Sequence, residues 1–304
     1  MTAGSAGDDA TAETPKERLA YWAYRSAEAL GAVTPDRIGR PLARASGALA
    51  WRTLPGIRAT VEANQARVLG VEPGSELARA AARDAFALYA RYWYDTFRVR
   101  TIPDDDVTRR TTCDGLEYVD AALEGGIGVI CALPHMGNWD AAGRWLSIHR
   151  YRIASVAEVL RPPRLFELFL RHRAELGMRI VPLAGSQTAR ELSSLLAANW
   201  IVALVADRDL SGRGVEVRMF GARRRVPAGP ALLALSSGAP LMPCALYTRD
   251  DGWHIQIDAP LSIERTGDRR ADVRAICEAL VARFERSIAA QPADWHLFQP
   301  GWPA

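Results

Sequence analysis

The sequence predicts an α/β protein with a mostly parallel central sheet flanked by helices on both faces and preceded by an N-terminal helical layer. Apolar residues recur at helical spacing between 16 and 70, and after about residue 100 strand-like and helix-like segments alternate. The apolar run 127–133 has the length and β-branching of a strand covered on both faces. Because 304 residues with 49% hydrophobic side chains can form one large core, we expect a single domain over 15–304.

The N-terminal part is expected to contain a tail and then helices. Residues 1–14 are small and polar without an apolar period, which predicts a disordered tail, and they lack the pattern of a secretory signal. Helices are expected over 15–100, where Leu19, Trp22 and Leu30 share one helical face. The apolar residues between positions 42 and 54 are interspersed with arginines. This pattern fits either a helix in contact with an anionic membrane surface or a helical layer packed on the sheet.

The remaining chain is read as alternating strands and helices. The predicted strands are 126–133, 152–158, 179–183, 201–206, 216–220, 240–247 and 253–257, and the predicted helices are 139–149, 165–177, 188–200, 230–235 and 271–290. Pro230 suits a first helical turn, and Gly238 suits the end of that helix. In such sheets, ligands gather at the carboxyl ends of the strands.

A histidine and an aspartate directly follow the first buried strand, in the sequence Pro-His-Met-Gly-Asn-Trp-Asp at 134–140. His135 is expected in the strand-to-helix loop and Asp140 in the first helical turn, with Asn138 as the cap. One imidazole nitrogen can take a proton from a hydroxyl while a carboxylate holds the proton of the other nitrogen. We therefore predict that Asp140 orients His135, although Asp140 also suits a purely structural role at the helix dipole.

Further charged residues follow later strands. Glu158 and Asp207 fall at strand ends, so they are expected on the same sheet edge as His135, and Asp207 could orient a hydroxyl or support an imidazolium. Arg208 lies between two aspartates, which is often only a local ion pair. Arg213, between glycines in the loop 211–214, suits phosphate binding, with Glu216 nearby, although a Gly-rich hairpin explains both equally well. The arginine run 223–225 is either a phosphate contact or a solvated turn.

Several classes of function are disfavoured. The net charge of +3, with basic residues interspersed among acids, gives no basic stripe for nucleic acid. The glycines at 125–128 precede their strand, whereas a dinucleotide fingerprint follows one, and the nucleophile-elbow sequence Gly-x-Ser-x-Gly is missing. The four cysteines and the other histidines have no metal-ligand spacing, so we expect no metal and no cofactor. No apolar stretch is long enough to cross a bilayer.

The motif at 134–140 resembles the acceptor-activating motif of the bacterial lipid A acyltransferase superfamily, and other stretches agree in order over roughly residues 16–302. These stretches are Tyr92-Trp93, Val156-Ala157-Glu158, Arg173-Ala174-Glu175-Leu176-Gly177, Ala206-Asp207-Arg208-Asp209-Leu210, Val226-Pro227-Ala228-Gly229-Pro230-Ala231 and Asp294-Trp295-His296. Together they look most like the actinobacterial phosphatidylinositol mannoside acyltransferases.

The resemblance implies transfer of a long-chain acyl group, such as palmitoyl, from acyl-CoA to a mannose hydroxyl of a phosphoinositol glycolipid. It implies that Asp207 is an acidic residue near the catalytic histidine and that Arg173 binds the acyl donor or the polar acceptor. With the expectations from the residues themselves, the predicted catalytic residues are His135, Asp140 and Asp207, and the predicted substrate-binding residues are Arg173, Glu158, Arg208, Arg213 and Glu216. The resemblance also implies peripheral contact with the cytoplasmic face of the plasma membrane. Where these enzymes carry glutamate, this chain has Asp207, whose reach is shorter by about 1.5 Å. A shifted backbone, a bridging water or a reduced role of this residue are the expected consequences.

Other functions stay open at this point. The same chemistry is possible on another glycolipid, a lysophospholipid or a glycerol phosphate. A thioesterase or a catalytically silent lipid-binding protein would also fit the pattern. The sequence sets neither acyl chain length nor oligomeric state.

Overall fold

The computed structural model describes residues 13–209 and 212–302, so residues 1–12 of the predicted tail lie outside the described part. Thr14 caps the first helix, since its side chain accepts from the Glu17 amide while the Glu17 carboxylate accepts from the Thr14 amide. The N-terminal layer consists of α1 (Pro15–Val33), α2 (Asp36–Thr53), α3 (Pro55–Leu69) and α4 (Glu76–Val99).

Strands and helices alternate after this layer, as predicted. The elements are α5 (Asp104–Arg110), β1 (Thr111–Asp114), α6 (Leu116–Glu124), β2 (Val129–Leu133), α7 (Trp139–Ile148), β3 (Ile153–Ala157), α8 (Pro163–Glu175), β4 (Met178–Pro182), α9 (Ser186–Ala197), β5 (Ile201–Val205), β6 (Val215–Met219), β7 (Ala222–Val226), α10 (Gly229–Ser237), β8 (Leu241–Arg249), β9 (Gly252–Ile257) and α11 (Arg269–Ala290). A short 3-10 helix, Pro292–Asp294, begins the C-terminal segment.

The described residues form a seven-stranded sheet in the order β1-β9-β8-β2-β5-β3-β4. Strands β8, β2, β5, β3 and β4 are mutually parallel, and only the β8–β9 pair is antiparallel. The fold class predicted from the sequence is therefore confirmed. Strands β6 and β7 form a separate antiparallel hairpin.

Both faces of the sheet are buried, and β2 shows why its sequence is apolar throughout. Ile130 and Ala132 face one core, with residues of α9, α10 and α11. Val129, Cys131 and Leu133 face the opposite core, with residues of α7. Because alternate side chains point to opposite faces, a strand covered on both sides has no polar positions.

The predicted apolar faces of α1 and α2 lie largely outside the core. Four large side chains of α1, Leu19, Trp22, Leu30 and Val33, are 60–74% exposed, and Leu42 and Leu49 of α2 are exposed as well. The buried side of α2 is instead a row of small residues. A Cβ on Gly47 would lie 2.5 Å from the Phe86 carbonyl oxygen, so glycine permits α2 to approach α4 closely. No helix within 13–209 or 212–302 is long and apolar enough to cross a membrane.

Helices α5 and α6 and strands β1 and β7 were not predicted. Helix α5 has three aspartates in its first turn and two arginines in its last, a pattern that matches the helix dipole, and β1 and α6 follow it. The arginine run 223–225 forms most of β7 instead of a solvated turn. Its side chains alternate between exposed and buried, and only the central Arg224 points inward.

Candidate active site

His135 lies in the loop between β2 and α7, as predicted. Pro134 follows the last residue of β2, and the Asn138 side chain caps α7 by accepting from the Ala141 amide at 2.9 Å. Gly137 has a positive φ of 60°, and a Cβ there would lie 2.2 Å from the Leu246 carbonyl oxygen. The loop that presents His135 therefore needs glycine at this position.

The register of two neighbouring strands brings Asp207 to His135. Leu133 of β2 pairs with Val205 of β5, so the residues two positions further along each strand are also neighbours. The Asp207 Oδ1 atom lies 2.5 Å from His135 Nδ1 and accepts from the His135 amide at 3.0 Å. Asp207 is fully buried, whereas the His135 side chain is 24% exposed. The shorter aspartate thus contacts the histidine directly.

Two further residues hold the aspartate in place. Trp295 Nε1 donates to Asp207 Oδ2 at 2.8 Å, and Arg224 donates to the Asp207 carbonyl oxygen through Nε at 3.2 Å and Nη2 at 2.8 Å. The Arg224 guanidinium also lies over the Trp295 ring, 5.3 Å from its centroid. The carboxylate therefore has a fixed orientation toward the imidazole.

Opposing effects set the pKa of Asp207. Burial raises it, but the adjacent His135 charge and hydrogen bond, together with Arg224 and Trp295, lower the pKa well below its usual range. A permanently ionised carboxylate beside Nδ1 favours the tautomer with the proton on Nδ1. His135 Nε2 is then the nitrogen that can accept a proton.

The C-terminal segment closes the back of the site. The His296 amide donates to the His135 carbonyl at 2.7 Å, and His296 Nε2 lies 2.9 Å from the Gly137 carbonyl oxygen. Burial lowers the pKa of His296 to about 4, so this ring is neutral at pH 7, and its Nε2–H donates a hydrogen bond to the Gly137 carbonyl oxygen. The Gly137 amide donates to the Asp294 carbonyl at 3.1 Å. The sequence showed only that His296 lacks metal-ligand spacing, and it did not predict this residue at the site.

Asp140 does not contact His135, so the predicted orienting contact is wrong. Asp140 is fully buried, and its Oδ1 atom accepts from Arg173 Nε at 2.8 Å. Burial lowers the pKa of Arg173, but the Asp140 charge more than offsets this, so the pKa rises. The Tyr92 hydroxyl lies 3.5 Å from Asp140 Oδ2. The first turn of α7 directs Asp140 toward α8, and the pair joins these helices.

The other predicted substrate-binding residues are divided between two places. Glu158 is exposed just after β3, at the same sheet edge as His135. Arg208 follows Asp207, and its Nη2 donates to Gln299 Oε1 at 2.9 Å. Arg208 and Glu216 line a cavity beside β7, whereas Arg213 lines a neighbouring cavity with Glu216. Ser211 of the predicted phosphate loop lies outside the described residues.

Comparison with known proteins establishes the family. The family model described as bacterial lipid A biosynthesis acyltransferase matches residues 7–303, which is nearly the whole chain. The chain belongs to this family. It is 42% identical over 250 residues to the phosphatidylinositol mannoside acyltransferase of Mycobacterium tuberculosis (strain ATCC 25618 / H37Rv), covering 79% of this chain and 76% of that protein. It is 38% identical over 243 residues to the protein of the same name from Mycolicibacterium smegmatis, covering 79% and 78%.

In this member of the acyltransferase family, sequence reading found the histidine and the aspartate but missed Trp295 and Arg224. Both contact Asp207 from elements distant in sequence. One signal was available for the tryptophan, because Asp294-Trp295-His296 is among the stretches that carried the family resemblance. For Arg224 there was none, since an arginine within a run of three gives no sign that it is buried.

Proposed function

We propose that the protein transfers a long-chain fatty acyl group from acyl-CoA to a mannose hydroxyl of a phosphatidylinositol mannoside. The observation that carries this proposal is the contact between His135 and the buried Asp207 at the carboxyl edge of the sheet. Membership in the acyltransferase family and the names of the relatives support the reaction and the acceptor. The CoA thioester and the palmitoyl chain follow from the resemblance alone.

In the proposed reaction, His135 Nε2 takes the proton of the sugar hydroxyl as its oxygen attacks the thioester carbonyl carbon. Asp207 stabilises the imidazolium that forms. The tetrahedral intermediate then collapses, the carbon–sulfur bond breaks, and the imidazolium returns its proton to the departing thiolate. An acyl-enzyme is not required, so the cysteines have no part in this scheme.

The oxyanion of the intermediate needs fixed donors. Two nearby candidates are the Gly137 amide, which donates to the Asp294 carbonyl oxygen, and the Arg173 guanidinium, whose Nε donates to Asp140. The Gly137 amide is therefore already engaged, whereas Arg173 also carries the N–H groups of Nη1 and Nη2. The positive end of α7, which begins four residues after His135, is the element we assign to this role.

We further propose that the protein lies peripherally on the cytoplasmic face of the plasma membrane. The exposed apolar side chains of α1 and α2 support this, because large exposed apolar patches mark interaction sites. Arg37, Arg44 and Arg52 of α2 are also exposed and would meet anionic headgroups. A membrane contact there would give the active site access to a lipid acceptor.

The proposed reaction is tested by measuring whether acyl transfer depends on the acceptor lipid. Purified protein is incubated with radiolabelled palmitoyl-CoA and vesicles containing phosphatidylinositol mannoside, a non-mannosylated lysophospholipid, or no acceptor. We expect labelled mannoside, and we expect His135→Ala to lose transfer while His149→Ala, at the far end of α7, retains it. Acceptor-independent release of fatty acid would indicate a thioesterase. Full activity of His135→Ala would refute the mechanism.

Vesicle flotation tests the membrane contact. Burying an exposed leucine is worth about 1.5–3 kcal/mol, so Leu19→Asp should weaken binding to anionic vesicles at least about 10-fold. The matched control is Ile127→Asp, whose side chain is 48% exposed in the loop before β2. Equal binding of both variants and the unmodified protein would refute the placement of α1 on the membrane.

A further inference from the structure

A cavity of about 350 Å³ lies beside Arg224, which donates to the Asp207 carbonyl oxygen, and four of its ten lining residues are arginines. The lining residues with charged side chains are Arg208, Asp209, Glu216, Arg223, Arg224 and Arg225. Four guanidinium groups thus face two carboxylates. Glu216 lies 3.7 Å from Arg223, and Asp209 accepts from the Gly214 amide at 2.6 Å. The cavity therefore has an excess of positive charge.

Arg224 is the buried centre of this cavity. Its side chain is only 5% exposed, and its Nε and Nη2 atoms donate to the Asp207 carbonyl oxygen. Its Nη1 atom has no hydrogen-bond partner among the residues that the structure describes. Leaving a buried charged donor unpaired is costly, which indicates that a ligand supplies the acceptor.

The surroundings of Arg224 hold its guanidinium in place. Its Cζ atom lies 5.3 Å from the Trp295 ring centroid and 5.4 Å from that of Trp302, and the two rings pack edge to face with their centroids 6.1 Å apart. A Cβ at Gly301 would stand 3.0 Å from Nη1, so a side chain at this position would crowd the atom. The nearby Arg208 Nε atom is also buried and lacks a partner in the described part of the chain.

We infer that this cavity binds a phosphate group of one of the two substrates, with Arg224 Nη1 as the central donor and Arg208, Arg223 and Arg225 around it. The inference rests on the proposed function, because both the CoA donor and the phosphoinositol acceptor carry phosphate. Planar guanidinium groups match the oxygens of phosphate, and charge-assisted hydrogen bonds are the strong ones. Because Arg224 also holds Asp207, the bound phosphate contacts the residue that fixes the catalytic carboxylate.

Calorimetry on the full chain tests the cavity without relying on turnover. CoA, pantetheine and glycerophosphoinositol are titrated separately into the unmodified protein and into Arg223→Gln/Arg225→Gln. This variant leaves Arg224 and its contacts with Asp207 in place. We expect about 10-fold weaker binding of CoA, or about 1.4 kcal/mol, with no change for pantetheine, which lacks phosphate. Loss for glycerophosphoinositol instead would assign the cavity to the acceptor.

Arg283→Gln/Arg286→Gln is the control for net charge, since it also removes two positive charges and both exposed side chains of α11 lie outside the cavity lining. If the double variant does not fold, Arg223→Gln alone serves, because this side chain is 76% exposed. Unchanged affinity for both phosphate ligands would overturn the inference even if transfer occurs. Arginine-dependent CoA binding without any transfer would instead refute the proposed function and leave the phosphate site standing.

Discussion

Asp207→Asn gives the sharpest test of the active site. Asp207 accepts three hydrogen bonds, two from His135 at Oδ1 and one from Trp295 at Oδ2. A carboxamide has only one oxygen, so in either orientation its NH2 group faces a donor. One buried donor then loses its partner, at a cost of about 1–3 kcal/mol in the free energy of unfolding.

The effect on catalysis should exceed the effect on stability. If the amide NH2 faces His135 Nδ1, that nitrogen must become the acceptor, and the proton moves to Nε2, where it blocks general-base action. If the amide oxygen faces Nδ1, the tautomer is kept but the charge that stabilises the imidazolium is lost. We expect kcat to fall roughly 10³-fold, which corresponds to about 4 kcal/mol in the activation free energy.

Asp140→Asn is the matched control, because it makes the same chemical change at the other aspartate of the site. It leaves the buried Arg173 charge unpaired, so we expect about 3–5 kcal/mol loss of stability but at most about 5-fold lower kcat per folded molecule. Transfer from radiolabelled acyl-CoA gives kcat, and urea unfolding gives stability. The opposite pattern, with kcat lost in Asp140→Asn and kept in Asp207→Asn, would refute the assignment.

Three further predictions concern the surroundings of this pair. Burial raises the pKa of Asp294 from its usual 3.8 to about 6, so the native state holds this proton more tightly and loses stability as the pH rises from about 4 to 6. Asp294→Asn should therefore be up to about 3 kcal/mol more stable than the unmodified protein at pH 8 but not at pH 4. Urea unfolding at a series of pH values measures this difference, and equal stability of the two proteins at every pH would contradict the prediction. Gly137→Ala should cost more than about 3 kcal/mol in urea unfolding, because its Cβ would meet the Leu246 carbonyl oxygen, and a loss below about 0.5 kcal/mol would contradict this. Trp295→Phe removes one donor to Asp207 and should lower kcat about 10-fold with little change in KM, whereas a change in KM alone would indicate substrate contact.

Much of the α/β layer followed from local patterns in the sequence. The buried run before Pro134 and the helical spacing after Asn138 depend on neighbouring residues only, so they predicted β2 and α7 closely. The short β1 and the hairpin strand β7 gave no such pattern. Four residues are too few to show a period, and an arginine run is indistinguishable from a surface turn until the packing around it is known.

The N-terminal helices illustrate a different limit. The sequence showed their amphipathic character but left open which face is buried. In α2, small residues such as Gly47 face α4, and the larger Leu42 and Leu49 remain exposed. Hydrophobic spacing identifies a face, but only the neighbouring helix determines whether that face is covered.

The sequence alone determined that His135 stands at the carboxyl end of a buried parallel strand and that candidate carboxylates are close to it in the fold, because strand ends in a parallel sheet share an edge. The tertiary structure decided which carboxylate serves it. Asp140 is near in sequence but is turned by α7 toward Arg173, whereas Asp207 is 72 residues away and is brought to the imidazole by the register of β2 with β5. Pairing between strands is a long-range property, and no local pattern in the chain specifies it.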